Sequence, residues 1–171
     1  TFLVPTGDGP QPRTTADIFK GRKVILFGVP GAFTPTCHRN HLPGFLAHSM
    51  DFKNKGVDEI CVTSVNDAFV MGAWEKDVAA DGRISFLADG SGKFAKAIGL
   101  SLDLSERNLG IRSQRYSMIV EDGVVRSLNI EESPGKAELS GAEALLKQFA
   151  GTRIFVDSCG LKKSRFDPDI D

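Results

Sequence analysis

The 171 residues have an ordinary globular composition, 41% hydrophobic and 25% charged, and suffice for one domain that buries roughly two thirds of its unfolded surface. A net charge of -1 gives no broad electrostatic pull toward nucleic acid or anionic lipid, and no stretch approaches the ~20 apolar residues that span a bilayer. Three cysteines, Cys37, Cys61 and Cys159, are too few and too oddly numbered for a disulfide framework, which points to free thiols in a reducing compartment.

Residues 1–13 hold three prolines and two glycines with no apolar period and read as an irregular entry arm. Thr14 or Thr15 suits the cap of a short helix over 16–20, ended at Gly21. Residues 23–29, KVILFGV, form a continuous apolar run of strand length, the pattern of a central strand buried on both faces. After the Pro30–Gly31 break a helical stretch is predicted from about 35 to 55, interrupted at Pro43–Gly44 and closed by Gly56. Residues 59–65, EICVTSV, read as a second buried strand. Asn66 or Asp67 caps a helix to about residue 80, with Phe69, Val70, Ala73, Trp74 and Val78 as its apolar stripe, expected in the core. A third strand over 84–88 and a short helix over 93–98 follow, and 100–114 reads as a loop with at most one helical turn. Segments 116–120 and 124–129 flank Glu121–Asp122–Gly123, a strong hairpin signal. Ser140 or Gly141 opens a last helix to about 149.

This order predicts an α/β fold, a central mixed β-sheet flanked by helices on both faces, with a thioredoxin-like layout. One domain is expected over 1–151, followed by a charged, proline-containing tail over 152–171.

The chemistry concentrates in PGAFTPTC, residues 30–37, directly after the central strand and before a helix. Thr34 suits the N-cap and Pro35 the first helical position, so Cys37 falls in the first turn, near unpaired backbone N–H groups. Those donors favour the thiolate, the nucleophilic form. They are insufficient alone. Bringing a thiol from about 8.5 to ~6 takes about 3.4 kcal/mol, whereas a helix terminus supplies ~2 kcal/mol at most. A cation must help, and an arginine, with its fixed fork of donors, can hold the sulfur and the oxygens of a substrate together. Arg39, Arg112 and Arg115 are the candidates.

The Pro-x-x-x-Thr-x-x-Cys pattern of Pro30, Thr34 and Cys37 resembles the active-site signature of peroxiredoxins. PGAFTPTC and HLPGF resemble the type 5, or type II, branch, as do SVNDAFVMGAW (64–74), FLADG (86–90) and RSQRYSMIVEDG (112–123), in unbroken order over about 14–150. The resemblance implies a thioredoxin-fold thiol peroxidase that reduces hydrogen peroxide and alkyl hydroperoxides, in antioxidant defence and redox homeostasis, without metal or organic cofactor. It makes Cys37 the peroxidatic cysteine, Thr34 the residue that orients peroxide, Pro30 the shield against water and Arg115 the activating arginine. It also implies a homodimer. A pocket lined by Phe33, His41 and Phe45 is expected.

Cys61 sits in an apolar run, where a small buried hydrophobe is the default; some relatives have a cysteine here assigned as resolving. Cys159, on the tail, is a second candidate resolving thiol. The region 130–140, where another subgroup resolves, has no cysteine, so a one-cysteine cycle leads, with an external reducing thiol such as glutathione, glutaredoxin or thioredoxin. A metal reading of Cys37, His41 and His48 is disfavoured because Pro43–Gly44 intervenes and no fourth ligand has suitable spacing. A dithiol oxidoreductase is disfavoured too, since Thr34 stands where such enzymes carry the first cysteine. The remaining alternative is a peroxide sensor or redox-regulated chaperone that uses Cys37 without turnover. The expected location is cytoplasmic, or organellar if a targeting segment preceded Thr1.

Overall fold

Strand β3 (Lys23–Val29) obeys its apolar sequence: six of its seven residues are buried, and its side chains divide by strand periodicity between two separate cores. Ile25, Phe27 and Val29 enter one core, Val24 and Leu26 the other. The computed structural model describes residues 1–149, so the tail over 152–171, with Cys159, lies outside the described residues.

Around β3 the sheet has the order β2-β1-β5-β4-β3-β8-β9. β4 (Glu59–Ser64) and β5 (Ser85–Ala88) run parallel to it, each reached by a helical crossover. β8 (Tyr116–Glu121) and β9 (Val124–Ile130) form the antiparallel hairpin expected from the turn residues, with Asp122 and Gly123 both at positive φ. Gly28 of β3 is required by this pairing, since a Cβ there would stand 2.2 Å from the Tyr116 ring. The fold is the thioredoxin-like α/β arrangement, a mixed sheet between helical layers.

Two segments expected to be irregular are strands. β1 (Phe2–Val4) and β2 (Gln11–Arg13) form a hairpin that extends the sheet beyond β5, with Phe2 fully buried. Arg13 and Arg22 converge on Glu59, which also accepts from Ser85, so one carboxylate ties β2, the entry to β3, β4 and β5 together. β6 (Ser101–Asp103) and β7 (Ile111–Ser113) pair as a separate ribbon within the stretch expected to be a loop. Three-residue strands are too short to display a period, which is why pattern reading passes over them.

The helices begin where their caps dictate. Thr14 and Asp17 form a reciprocal capping box on α1 (Thr15–Phe19). The helix after β3 starts at Pro35, widens to a π-turn over Cys37–His41, continues as α2 (Leu42–Ala47), breaks at His48 and resumes as α3 (Ser49–Asn54). The interruption expected at Pro43–Gly44 therefore falls one turn earlier. Pro43 brings no N–H, and the wide turn just before it accommodates that loss, with Leu42 N–H donating to Cys37 O.

Asp67 caps α4 (Ala68–Asp77), and this phase buries Ala68, Met71 and Trp74. Trp74 is in the core and Val78 packs against it, as expected, but Phe69, 76% exposed, and Ala73 face outward, which corrects that part of the predicted stripe. α5 (Lys93–Ala97) ends before Gly99 in the left-handed region, and α6 (Ala142–Phe149) covers the Cys37 side of the sheet. Among the described residues no helix is long and apolar enough to cross a membrane.

Candidate active site

The loop leaving β3 is tight and locally strained. Phe33 adopts φ 62°, a left-handed conformation unfavourable for a residue with a Cβ. At Gly31 a Cβ would stand 3.0 Å from both the Arg112 guanidinium and the Thr34 methyl. Thr34 O accepts the first helical hydrogen bond, from His38 N–H at 2.8 Å, so Thr34 is the N-cap and Cys37 lies in the first turn, as expected.

Cys37 is fully buried, and two groups reach its sulfur. Thr34 Oγ1 stands 2.8 Å away, and Arg115 NH2 donates at 3.0 Å. Of the three arginines considered, Arg115 alone meets the sulfur among the described contacts. Arg112 instead donates to Leu109 O and Pro30 O, and Arg39 is exposed. Arg115 sits just before β8, the antiparallel neighbour of β3, so adjacent strands bring a residue 78 positions away back to Cys37.

Arg115 is 2% exposed and densely engaged. Nε and NH2 donate to Pro134 O at 3.1 and 2.8 Å, NH2 also to Cys37, and NH1 to His41 Nδ1 at 3.1 Å. These bonds use four of the five guanidinium protons and leave one on NH1. Pro134 carries no residue-type signal for this task, because its carbonyl does the work, and sequence reading missed it.

His41 is buried beneath this group. Its Nε2 faces Ser140 O at 2.9 Å, so the proton belongs on Nε2 and the bare Nδ1 accepts from Arg115. Burial lowers His41 from 6.5 to about 3, and the Arg115 charge acts in the same direction, so the ring is neutral. Phe45 is fully buried, stacked on Phe27 at 4.1 Å and edge-on to His41 at 5.6 Å; it supports the imidazole from the core. Phe33 lies at the surface, 45% exposed, with His38 and Trp74 beside it. Pro30 is buried at the end of β3.

Cys61 is far from this constellation in the fold. Cys37 belongs to the core on one face of the sheet and Cys61 to the core on the other. Burial, and then the Glu59 carboxylate, raise the Cys61 thiol well above its ordinary value. A surface cleft of about 690 Å³ between the β1–β2 turn and α4, with Pro5, Phe69 and Gly72 on its walls, includes none of these site residues.

Residues 2–146 match the redoxin family. Peroxiredoxin-2C of Oryza sativa subsp. japonica is 54% identical over 127 residues, covering 74% of this chain and 78% of that protein. The hybrid peroxiredoxin hyPrx5 of Haemophilus influenzae is 43% identical over 152 residues, 88% of this chain but 63% of its own length. Among solved structures, reduced Prx3 of Vibrio vulnificus in complex with hydrogen peroxide superposes with a TM-score of 0.82 at 46% identity, over 87% of this chain and 92% of that one. Peroxiredoxin 5 from Alvinella pompejana gives 0.75 at 35% identity, over 88% and 92%. A shared fold at these identities, over most of each chain, settles the family: the chain belongs to the peroxiredoxins, thiol-dependent peroxidases of antioxidant defence.

Proposed function

We propose that Cys37 is the peroxidatic nucleophile of this peroxidase, with Thr34 and Arg115 as its catalytic partners and Pro30 as a wall that keeps water from the sulfur. The carrying observation is the convergence of the Thr34 hydroxyl and the Arg115 guanidinium on one buried sulfur, at 2.8 and 3.0 Å. The Arg115 charge compensates the thiolate, and its remaining NH1 proton is available to a peroxide oxygen. In the first step the thiolate attacks the hydrogen-bearing oxygen of R–O–O–H, an S–O bond forms, the O–O bond breaks, and the departing alkoxide or hydroxide takes from solvent the proton that the Cys37 thiol released on ionising, leaving as alcohol or water. Cys37 becomes the sulfenic acid.

Regeneration is assigned to an external thiol. The first thiol condenses with the sulfenic acid, releasing water, and a second displaces it as a disulfide, restoring Cys37. The opposite-face placement of Cys61 supports this one-cysteine cycle. Glutathione with glutaredoxin, and thioredoxin, are the proposed reductants. The physiological form is proposed to be a homodimer. Relatives at 44% and 46% identity named chloroplastic and mitochondrial support an organellar location, the alternative to the cytoplasmic one.

Peroxide consumption by wild type and Cys37→Ser, each with glutathione/glutaredoxin and with thioredoxin, tests the reading. Wild type turns over with at least one system, and Cys37→Ser loses activity with both. Full activity in Cys37→Ser would overturn the assignment of the nucleophile. A single oxidation without turnover in either system would favour the sensor reading.

A further inference from the structure

From Arg115 an unbroken chain of hydrogen bonds leads away from the sulfur into the segment between β9 and α6. Arg115 NH1 donates to His41 Nδ1, and His41 Nε2 faces both Ser140 O at 2.9 Å and Ser140 Oγ at 3.2 Å. Ser140 in turn donates its backbone N–H and its hydroxyl to Glu131 Oε1, at 2.7 and 2.9 Å. Ser140 is fully buried and Glu131 nearly so. One carboxylate oxygen thus ties residue 140 to residue 131 and closes the base of the loop between them. That loop touches the site at two more places: Pro134 O accepts two bonds from Arg115, and Gly135 O accepts from Thr36 at 3.1 Å. Glu131 N–H also donates to Arg115 O at 3.0 Å.

Among the described residues Glu131 forms no ion pair. Its described side-chain partners are the two Ser140 donors. We propose that Glu131 is a positioning residue of the peroxidase: by holding Ser140 across the base of the 131–140 loop, it fixes the tautomer of His41 and the place of Pro134 O, and through both it aims the Arg115 guanidinium at Cys37.

The hydroxyl of Ser140 has one proton. Given to Glu131, it leaves the carbonyl and the hydroxyl oxygen of Ser140 both facing His41 Nε2 as acceptors, so Nε2 keeps its proton and offers a bare Nδ1 to Arg115. Without the carboxylate residue 140 loses the acceptor of both its N–H and its hydroxyl, so its carbonyl is no longer held against Nε2 and the hydroxyl can turn its proton toward the ring. The imidazole proton then moves to Nδ1 and meets Arg115 N–H, donor against donor. Phe27 and Phe45, at 5.0 and 5.6 Å, are the aromatic rings that face the imidazole, and they supply no competing acceptor. Buried donors left unpaired are costly, so the guanidinium shifts to find other partners and the Cys37 contact is lost.

The inference rests on the proposed role of Arg115, and the test separates the two. Glu131→Ala, Glu131→Asp, Glu131→Gln and Arg115→Gln are made in the full chain, and the reduced proteins are mixed with hydrogen peroxide across pH, with melting curves recorded alongside. Glu131→Ala is expected to slow the reaction roughly ten- to a hundredfold, the loss typical of a removed outer-shell partner, and to move the rise of its pH–rate profile to higher pH. Glu131→Gln, whose amide oxygen still accepts from Ser140, restores most of the rate, a rescue that a general loss of stability would not produce. Should Glu131→Ala fail to fold, Glu131→Asp decides, since it keeps the charge and withdraws the acceptor from Ser140 by one methylene. A well-folded Glu131→Ala, or in its absence Glu131→Asp, that reacts within about twofold of wild type with an unchanged profile overturns the inference. If Arg115→Gln itself reacts at the wild-type rate, the Arg115 reading fails; if Arg115→Gln is slow and Glu131→Ala, or in its absence Glu131→Asp, is not, the positioning role alone fails.

Discussion

Thr34 carries one hydroxyl proton and stands 2.8 Å from two acceptors, Gly31 O and Cys37 Sγ, so the direction of its hydrogen bond follows the state of the sulfur. A thiolate draws the proton to itself; a thiol lets it return to the loop carbonyl. This exchange was legible in outline from the spacing of Thr34 and Cys37, because both lie on one helical turn. The partners that arrive from distant strands were less so. Helix and charge arguments left Arg115 as one of three arginines, the resemblance pointed to it, and the pairing of β8 with β3 brings it within 3.0 Å of the sulfur. His41 yields a residue-scale prediction. Burial keeps it neutral down to about 3, whereas in the unfolded chain it takes up a proton near 6.5. Between those values the unfolded state binds the extra proton, so stability rises with pH and falls on acidification below 6.5, by up to about 1.4 kcal/mol per pH unit. Glu59 does not confuse this window. Burial alone would raise its carboxyl, but the Arg13 and Ser85 hydrogen bonds bring it down to about 2, so its contribution is lost only below 4.5. Denaturant titrations between about pH 5 and 6.5 should therefore show a steeper decline for wild type than for His41→Gln. Equal slopes would mean that His41 binds a proton in the folded protein.

At the scale of elements, tertiary partners decide more than stripes. The predicted apolar face of α4 ran through Phe69, Val70, Ala73, Trp74 and Val78; Trp74 is in the core as expected, but Ala68 and Met71 join it there while Phe69 and Ala73 face outward. The seven apolar residues among the eleven positions 68–78 fit more than one helical phase, and only the tertiary partner chooses among them. In the same way Pro43 was legible as a disturbance but not as a π-turn one step earlier. The consequence of the α4 phase is an exposed phenylalanine that the isolated chain does not cover. Burying such a side chain contributes ~1.5–3 kcal/mol, and a homodimer would bury one from each subunit if the contact is isologous. Phe69→Asp is accordingly expected to convert a dimer to a monomer in sedimentation equilibrium while leaving the melting temperature at low protein concentration nearly unchanged. A wild-type chain that sediments as a monomer, or a Phe69→Asp dimer of undiminished affinity, would remove α4 as the contact.

Across the whole molecule, the sheet is both the most legible feature and the barrier that divides the cysteines. The continuous apolar runs at 23–29 and 59–65 announced central strands, and the βαβ order with a final hairpin announced the mixed topology. The β1–β2 and β6–β7 pairs were illegible because strands of three residues bury too little to leave a pattern. The separation of Cys37 from Cys61 follows from parity. Along β4, Ile60 and Val62 point into the Cys37 core while Cys61 points into the opposite one. The strand is paired on both sides, Cys61 opposite Leu26 of β3 and Ser85 of β5, so turning this thiol toward Cys37 means breaking pairings in the middle of the sheet. A disulfide also needs the two Cα atoms within about 7 Å and their Cβ vectors converging, which the intact sheet denies. Cys61→Ser should therefore keep peroxide turnover with an external thiol close to wild type, at some cost in stability from the buried hydroxyl. Mass spectrometry of peroxide-treated wild type should find Cys37 as a sulfenic or higher acid, or in a mixed disulfide with the added thiol. A Cys37 disulfide to Cys61 or Cys159, or loss of turnover in Cys61→Ser with the first peroxide reaction intact, would replace the one-cysteine cycle with an internal one.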